Sequence, residues 1–263
     1  MAKDERISLG SLLFTLVEPH RGHEVAYNRW YERDHFYAGC MVGPWLFAGR
    51  RFVATRALKD LRFGRDPALF GDPDLGSYLA LYWVQEGHHD EHFCWALDQV
   101  KWLHANGRMF PERDHVHTLL YNHRWTVARD ADGVPPELAL DHPFAGLVAT
   151  MVDYADSVGR PQFDAWCAAE LPGLIAGTPA ALCLGASPIP LPADAPVEQP
   201  GLDGLRQRSL QLWFLDEIPE HSWGTVFIGF GDAVVASGLG TVSWAAPFVP
   251  TIPGTDTYTD QLW

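Results

Sequence analysis

The sequence has no apolar run long enough to span a bilayer. Its first residues, MAKDERISLG, carry no apolar core of the secretory-leader kind. A cytoplasmic protein is therefore expected, with no membrane partner. Basic residues are scarce: 19 Lys and Arg stand against 33 Asp and Glu, a formal net charge of −14, and they form no cluster. Such a chain repels polyanions, which argues against nucleic acid and anionic membrane surfaces as partners. Only four cysteines occur (Cys40, Cys94, Cys167 and Cys183), widely spaced and without a CxxC pair. That spacing speaks against a disulfide framework or a zinc–thiolate site, and inertly packed thiols are expected. There is no GxSxG elbow, and the glycines of GFGDAVVASGLG (229–240) do not form GxGxxG after a strand. A hydrolase nucleophile and a dinucleotide site are both unsupported.

Aromatic residues, by contrast, are plentiful: 11 Trp, 14 Phe and 8 Tyr in 263 residues. With 47% hydrophobic residues the chain can bury the core of one large or two modest domains. Most of the rings are expected in that core. Some can line a pocket for a small apolar or aromatic molecule.

The chain also carries an internal repeat. LLFTLVE (12–18) compares with LVATMVD (147–153), and NRWYERDHF (28–36) with DAWCAAELP (164–172). YLALYWVQE (78–86) compares with SLQLWFLDE (209–217), and HTLLYNHRW (117–125) with GTVSWAAPF (240–248). Four blocks in the same order indicate duplication. Hydrophobic periodicity predicts strands at 8–18, 46–57, 78–86 and 115–125 in the first half, with helices at 24–40 and 88–105. In the second half it predicts strands at 146–154, 180–187, 208–216 and 239–246, with helices at 160–176 and 220–236. The proline-rich 186–201 reads as an insertion loop. Units spanning 1–128 and 140–263, joined by a linker at 129–139, each have the order βαββαβ. This is an α+β class in which two ferredoxin-like sheets pack face to face as a barrel.

With that order and the helix NRWYERDH, the chain resembles the dimeric α+β barrel superfamily, in particular its EthD-like and antibiotic-monooxygenase-like groups. The residues that carry the resemblance are Asn28, Trp30, Tyr31 and His35; the proline usual two residues after the histidine is replaced by Tyr37. The resemblance implies a tandem, fused version of the barrel, able to form a homodimer, with a pocket between sheet and helices. It leaves the reaction open, since the superfamily includes cofactor-free oxygenases, lactone isomerases, hydroxynitrile lyases, polyketide cyclases and haem enzymes. In the second copy Cys167 and Leu171 stand where Tyr31 and His35 stand in the first. One working pocket and one structural copy are expected.

On a wheel at about 100° per residue, Tyr27, Trp30, Tyr31, Asp34 and His35 fall within an arc of about 140°. His35 is the candidate acid/base, because imidazole exchanges a proton near neutrality. Tyr31 is the candidate donor to a developing oxyanion, with Tyr27, Asn28, Trp30 and Asp34 as candidate substrate contacts. The alternative is that Asp34 and His35 lie at the margin of the face, bonded to backbone or water. A second constellation is GHHDEHF (87–93): His88 and His92 have the i, i+4 spacing of a metal pair. His115, His117 and His123 share one strand face by the period of two, so that His117 could complete such a site. The expectation is a cofactor-independent lyase, isomerase or cyclase acting on a small, mostly apolar, oxygen-bearing molecule. The rivals are a non-catalytic binder of a hydrophobic metabolite and a haem- or metal-dependent α+β barrel oxygenase.

Overall fold

A computed structural model describes residues 6–190 and 204–263. Eight antiparallel strands form a closed barrel: β1 (Leu9–Pro19), β2 (Leu46–Val53), β3 (Tyr78–Gln85), β4 (Arg113–Ala128), β5 (Gly146–Tyr154), β6 (Ala180–Ile189), β7 (Arg208–Leu215) and β8 (Gly240–Pro250). Around the barrel the order is β1-β3-β2-β8-β5-β7-β6-β4. The halves thus share one strand order, 4-1-3-2 for the first and its equivalent for the second. Closure is uneven. β4 pairs with β6 from Leu120 to Ala128, whereas β2 meets β8 only through Phe52↔Pro250 and Val53↔Val249.

Alternation of side chains divides each strand between two cores. Leu12, Phe14 and Leu16 of β1 and Leu79, Leu81 and Trp83 of β3 fill the barrel, where they meet Leu212 and Phe214 from β7. The opposite faces receive the helices. The first helix begins as α1 (Glu24–Trp30) and continues as a π-helix over Tyr31–Met41. Two short helices that periodicity did not predict, α2 (Arg56–Leu61) and α3 (Pro67–Phe70), follow β2. Then come α4 (His89–Ala105) and α5 (Arg160–Ile175), and last α6 (Gly229–Ser237), which a π-turn at Trp223–Ile228 precedes. The predicted single helix at 220–236 is therefore broken into turns of different winding. β6 runs on to Ile189, four residues into the predicted insertion loop, and the rest of that loop lies almost wholly outside the described residues.

The helix faces of the two halves are packed differently. In the second half, Phe163, Cys167 and Leu171 of α5 are buried against Trp213, Phe227 and Phe230. Trp125 lies flat where Gly185 has no side chain, since a Cβ there would stand 2.0 Å from its ring. Its indole nitrogen donates to Asp164 at 2.9 Å. Among the described residues, this space is filled. In the first half the corresponding space is open.

Candidate functional site

A cavity of about 420 Å³ lies between the outer face of β1 and β4, the π-helix, α4 and the turn at 107–111. Its size is that of small-molecule sites. The ladder places its floor in order. Leu13 faces Leu120, Thr15 faces Thr118, Val17 faces His115, and Arg113 stands opposite Pro19 at the strand end. The roof is apolar, with Phe93, Leu97 and Val100 of α4. One end is thus hydrocarbon and the other carries Arg113, His115, His35 and Tyr31.

The π winding sets the position of His35. In an α-helix, residues five apart are about 140° apart around the axis. The i→i+5 bonding of a π-helix, seen in Val42 N donating to Tyr37 O at 3.1 Å, brings them one above the other. Trp30 and His35 accordingly stack, with centroids 4.6 Å apart and planes inclined by 18°. Gly39 makes the space: a Cβ there would stand 2.6 Å from His35 Cε1. Gln99 of α4 donates to Ala38 O at 2.6 Å and ties the two helices together.

The ring borders the cavity, yet among the described residues neither ring nitrogen has a hydrogen-bond partner, and Nδ1 is buried. Burial, reinforced by the Arg113 charge, pushes the His35 pKa down to about 3, so the imidazole is neutral at physiological pH. His115 is also neutral, pushed down to about 4 by burial and Arg113; its Nδ1 lies 2.8 Å from Thr118 Oγ1. Thr118 and Thr15 share a bond of 2.7 Å. The Tyr31 hydroxyl lies 2.9 Å from that of Tyr82, and burial holds it protonated, well above its usual range. Cys40 borders the cavity as a thiol pushed up to about 12 by burial.

Of the residues singled out in the sequence, His35 and Tyr31 reach the cavity wall. The four expected substrate contacts, Tyr27, Asn28, Trp30 and Asp34, do not line it, because each is engaged elsewhere in the fold. Trp30 supports His35 from behind and donates its indole N–H to Arg108 O at 2.8 Å. Tyr27 is enclosed by Trp30, Tyr31, Tyr78 and Phe110. Asn28 donates to Thr255 O at 2.9 Å and accepts from Arg51 at 2.8 Å. Asp34 pairs with Arg108, away from the histidine beside it in sequence.

The metal constellation does not assemble. His88 stacks on Trp45 and lies 3.1 Å from Glu91, and His92 Nδ1 lies 2.7 Å from Pro44 O. A bulge in β4, with Leu16 opposite His117 but Val17 opposite His115, breaks the period of two. It turns His117 into the barrel, 2.6 Å from Tyr121 OH, and leaves His115 on the cavity side. Among the described residues no group of metal-ligating side chains converges.

Residues the sequence reading missed include Gly39 and Arg113. A glycine four residues after the histidine, inside a helix, was the available signal for the first. A lone arginine at a strand start gave none for the second.

No family model and no curated protein matches the sequence. Solved structures do match. An anthrone oxidase-like protein aligns over 95% of both chains with a TM-score of 0.56 at 10% identity. A monooxygenase candidate from Fusobacterium nucleatum covers 94% of this chain and 95% of its own, at TM-score 0.54 and 8% identity. A haem-bound DypB variant from Rhodococcus jostii RHA1 covers 100% and 98%, at TM-score 0.51 and 9% identity. The fold is of the dimeric α+β barrel type. At these identities the likeness concerns the fold alone.

Two expectations are corrected. The cofactor-independent lyase, isomerase or cyclase does not stand: the proteins that share the fold are oxidase-like, oxygenase-like and haem-bound. An imidazole with a pKa of about 3 is also too weak a base to take a carbon-bound proton at neutral pH. The expectation of no cofactor falls with it, since a barrel of this type carries haem. The cavity wall suits that group chemically. It offers a neutral imidazole with unpartnered nitrogens beside apolar walls.

Proposed function

We propose that the chain is a haem-dependent oxidative enzyme, with His35 the residue that would ligate the iron. The observation that carries this is the His35 ring: neutral, without a hydrogen-bond partner at either nitrogen among the described residues, and bordering an apolar cavity. A buried imidazole ordinarily satisfies its nitrogens with protein or water. One without partners suits a ligand that accepts a lone pair. His115 is less suited because its Nδ1 is engaged by Thr118.

Haem, when bound, supplies an iron centre for dioxygen or peroxide chemistry. The chain's own residues do the rest. Trp30 holds the His35 plane by stacking, and Gly39 leaves room for the ring. Leu13, Leu97, Val100 and Leu120 exclude water from the apolar end. Tyr31, kept protonated, can donate a hydrogen bond into the cavity when Tyr82 donates to it. Thr118 fixes the His115 ring on the floor.

The same reading makes residues 1–128 the working unit and 140–263 a second copy, joined by 129–139. It is supported by the common strand order and by the filled space beneath α5, where Cys167 and Leu171 are buried. The test is titration of the purified chain with haemin, followed by visible absorption. A saturable histidine-ligated spectrum at one haem per chain is expected. His35→Ala should abolish it, and His115→Ala should retain it. No spectral change in the wild-type chain, or an unchanged spectrum in His35→Ala, refutes the assignment.

A further inference from the structure

Arg113 is a half-buried cation without an anion. It lines the cavity, and among the described residues no carboxylate lies within ion-pair distance of it. Its sequence neighbours Glu112 and Asp114 point away and hold His20, at 3.0 and 3.2 Å. Nη1 donates to Phe110 O, Nη2 lies 3.4 Å from His115 Nε2, and the guanidinium stands 4.9 Å from the Trp30 ring centroid. These contacts leave much of a five-donor fork unused. Desolvating a guanidinium in this way is costly unless an anion compensates it.

The position adds direction. At about 3.3 Å per residue, roughly 20 Å of strand separates Arg113 from Leu120. Between them the floor passes from cationic to hydroxyl-bearing to hydrocarbon. A wholly apolar ligand would fill the hydrocarbon end and leave the charge unmatched. A ligand with an apolar body and a carboxylate at one end would satisfy both.

We infer that Arg113 anchors the carboxylate of an organic substrate whose apolar or aromatic body lies toward Leu13 and Leu120. This rests on the reading of the cavity as the functional site and narrows its substrate class to amphipathic carboxylates. The same chemistry is offered by the carboxylates of haem itself, so the test must separate the two.

The probes are 2-naphthoate and its neutral counterpart 2-naphthamide, measured by calorimetry on the purified chain at neutral pH. The wild-type chain should bind naphthoate at least tenfold more tightly. Arg113→Gln should reduce that ratio to below threefold, and Arg113→Lys should keep part of it, which controls for folding. Haemin affinity should be little changed in Arg113→Gln. Equal binding of the two probes by the wild type, or an unchanged ratio in Arg113→Gln, overturns the inference alone. Failure of both probes to bind overturns it together with the reading of the cavity. Loss of haemin binding in Arg113→Gln with the naphthoate preference intact overturns it in favour of haem carboxylates.

Discussion

Gly39→Ala separates stability from function at this site. Glycine to alanine inside a helix ordinarily stabilises by about 1 kcal/mol. Here the new Cβ would lie 2.6 Å from His35 Cε1 and 2.7 Å from Nδ1. Carbon contacts settle at about 3.5–4.0 Å, so the imidazole must retreat by roughly 1 Å. The ring is the end of a side chain and can move, but movement breaks its stack on Trp30. A stack of this kind contributes about 0.5–1.5 kcal/mol. The helix gain and the stacking loss nearly offset, and urea unfolding should report a change within about 1 kcal/mol. Ligand positioning tolerates only about 0.5 Å. Haemin affinity should therefore fall at least tenfold, about 1.4 kcal/mol. Gly173→Ala is the control: nothing lies within 4 Å of its Cβ position on α5, so it should stabilise without changing haemin binding. A Gly39→Ala chain with haemin affinity within twofold of wild type would refute the placement of His35.

Acid should destabilise the fold early. His35 and His117 sit at about 3 and His115 at about 4, all lowered chiefly by burial from 6.5. Their contribution is complete above pH 6.5 and declines as pH falls toward 4, because the unfolded chain takes up protons that the folded chain refuses. The urea midpoint should drop steadily between pH 6.5 and 4.5, and a flat profile over that range would contradict these assignments. In the second half, Thr150 accepts from Trp213 Nε1 at 3.0 Å and donates to Gln211 at 2.8 Å, all buried. Thr150→Val should cost roughly 2–4 kcal/mol by leaving both partners unsatisfied, with haemin binding unchanged. A loss under about 0.5 kcal/mol would mean that this network contributes little.

Much of the architecture was legible because it is periodic. Alternating apolar residues located all eight strands to within a few residues, and the long helices 24–40 and 88–105 were close to their observed limits. Short helices α2 and α3 escaped because fewer than seven residues show no period. The first-half site was half legible. His35 and Tyr31 could be picked out because the matching positions, Cys167 and Leu171, carry no such chemistry. Their four companions are held by other parts of the fold, such as Thr255, Arg51 and Arg108, which a helical wheel does not include.

The sequence by itself determined the strand pattern and pointed to the histidine worth attention, since hydrophobic spacing and the match between segments are linear properties. Only the tertiary structure decided what that histidine can do. Its neutrality comes from burial and from Arg113, 78 positions away in sequence, a distance at which no local pattern operates. The bulge that parts His115 from His117 depends on the pairing of β4 with β1, which a single strand cannot declare. The open space in one half and the filled space in the other are likewise set by side chains that meet only when the barrel closes.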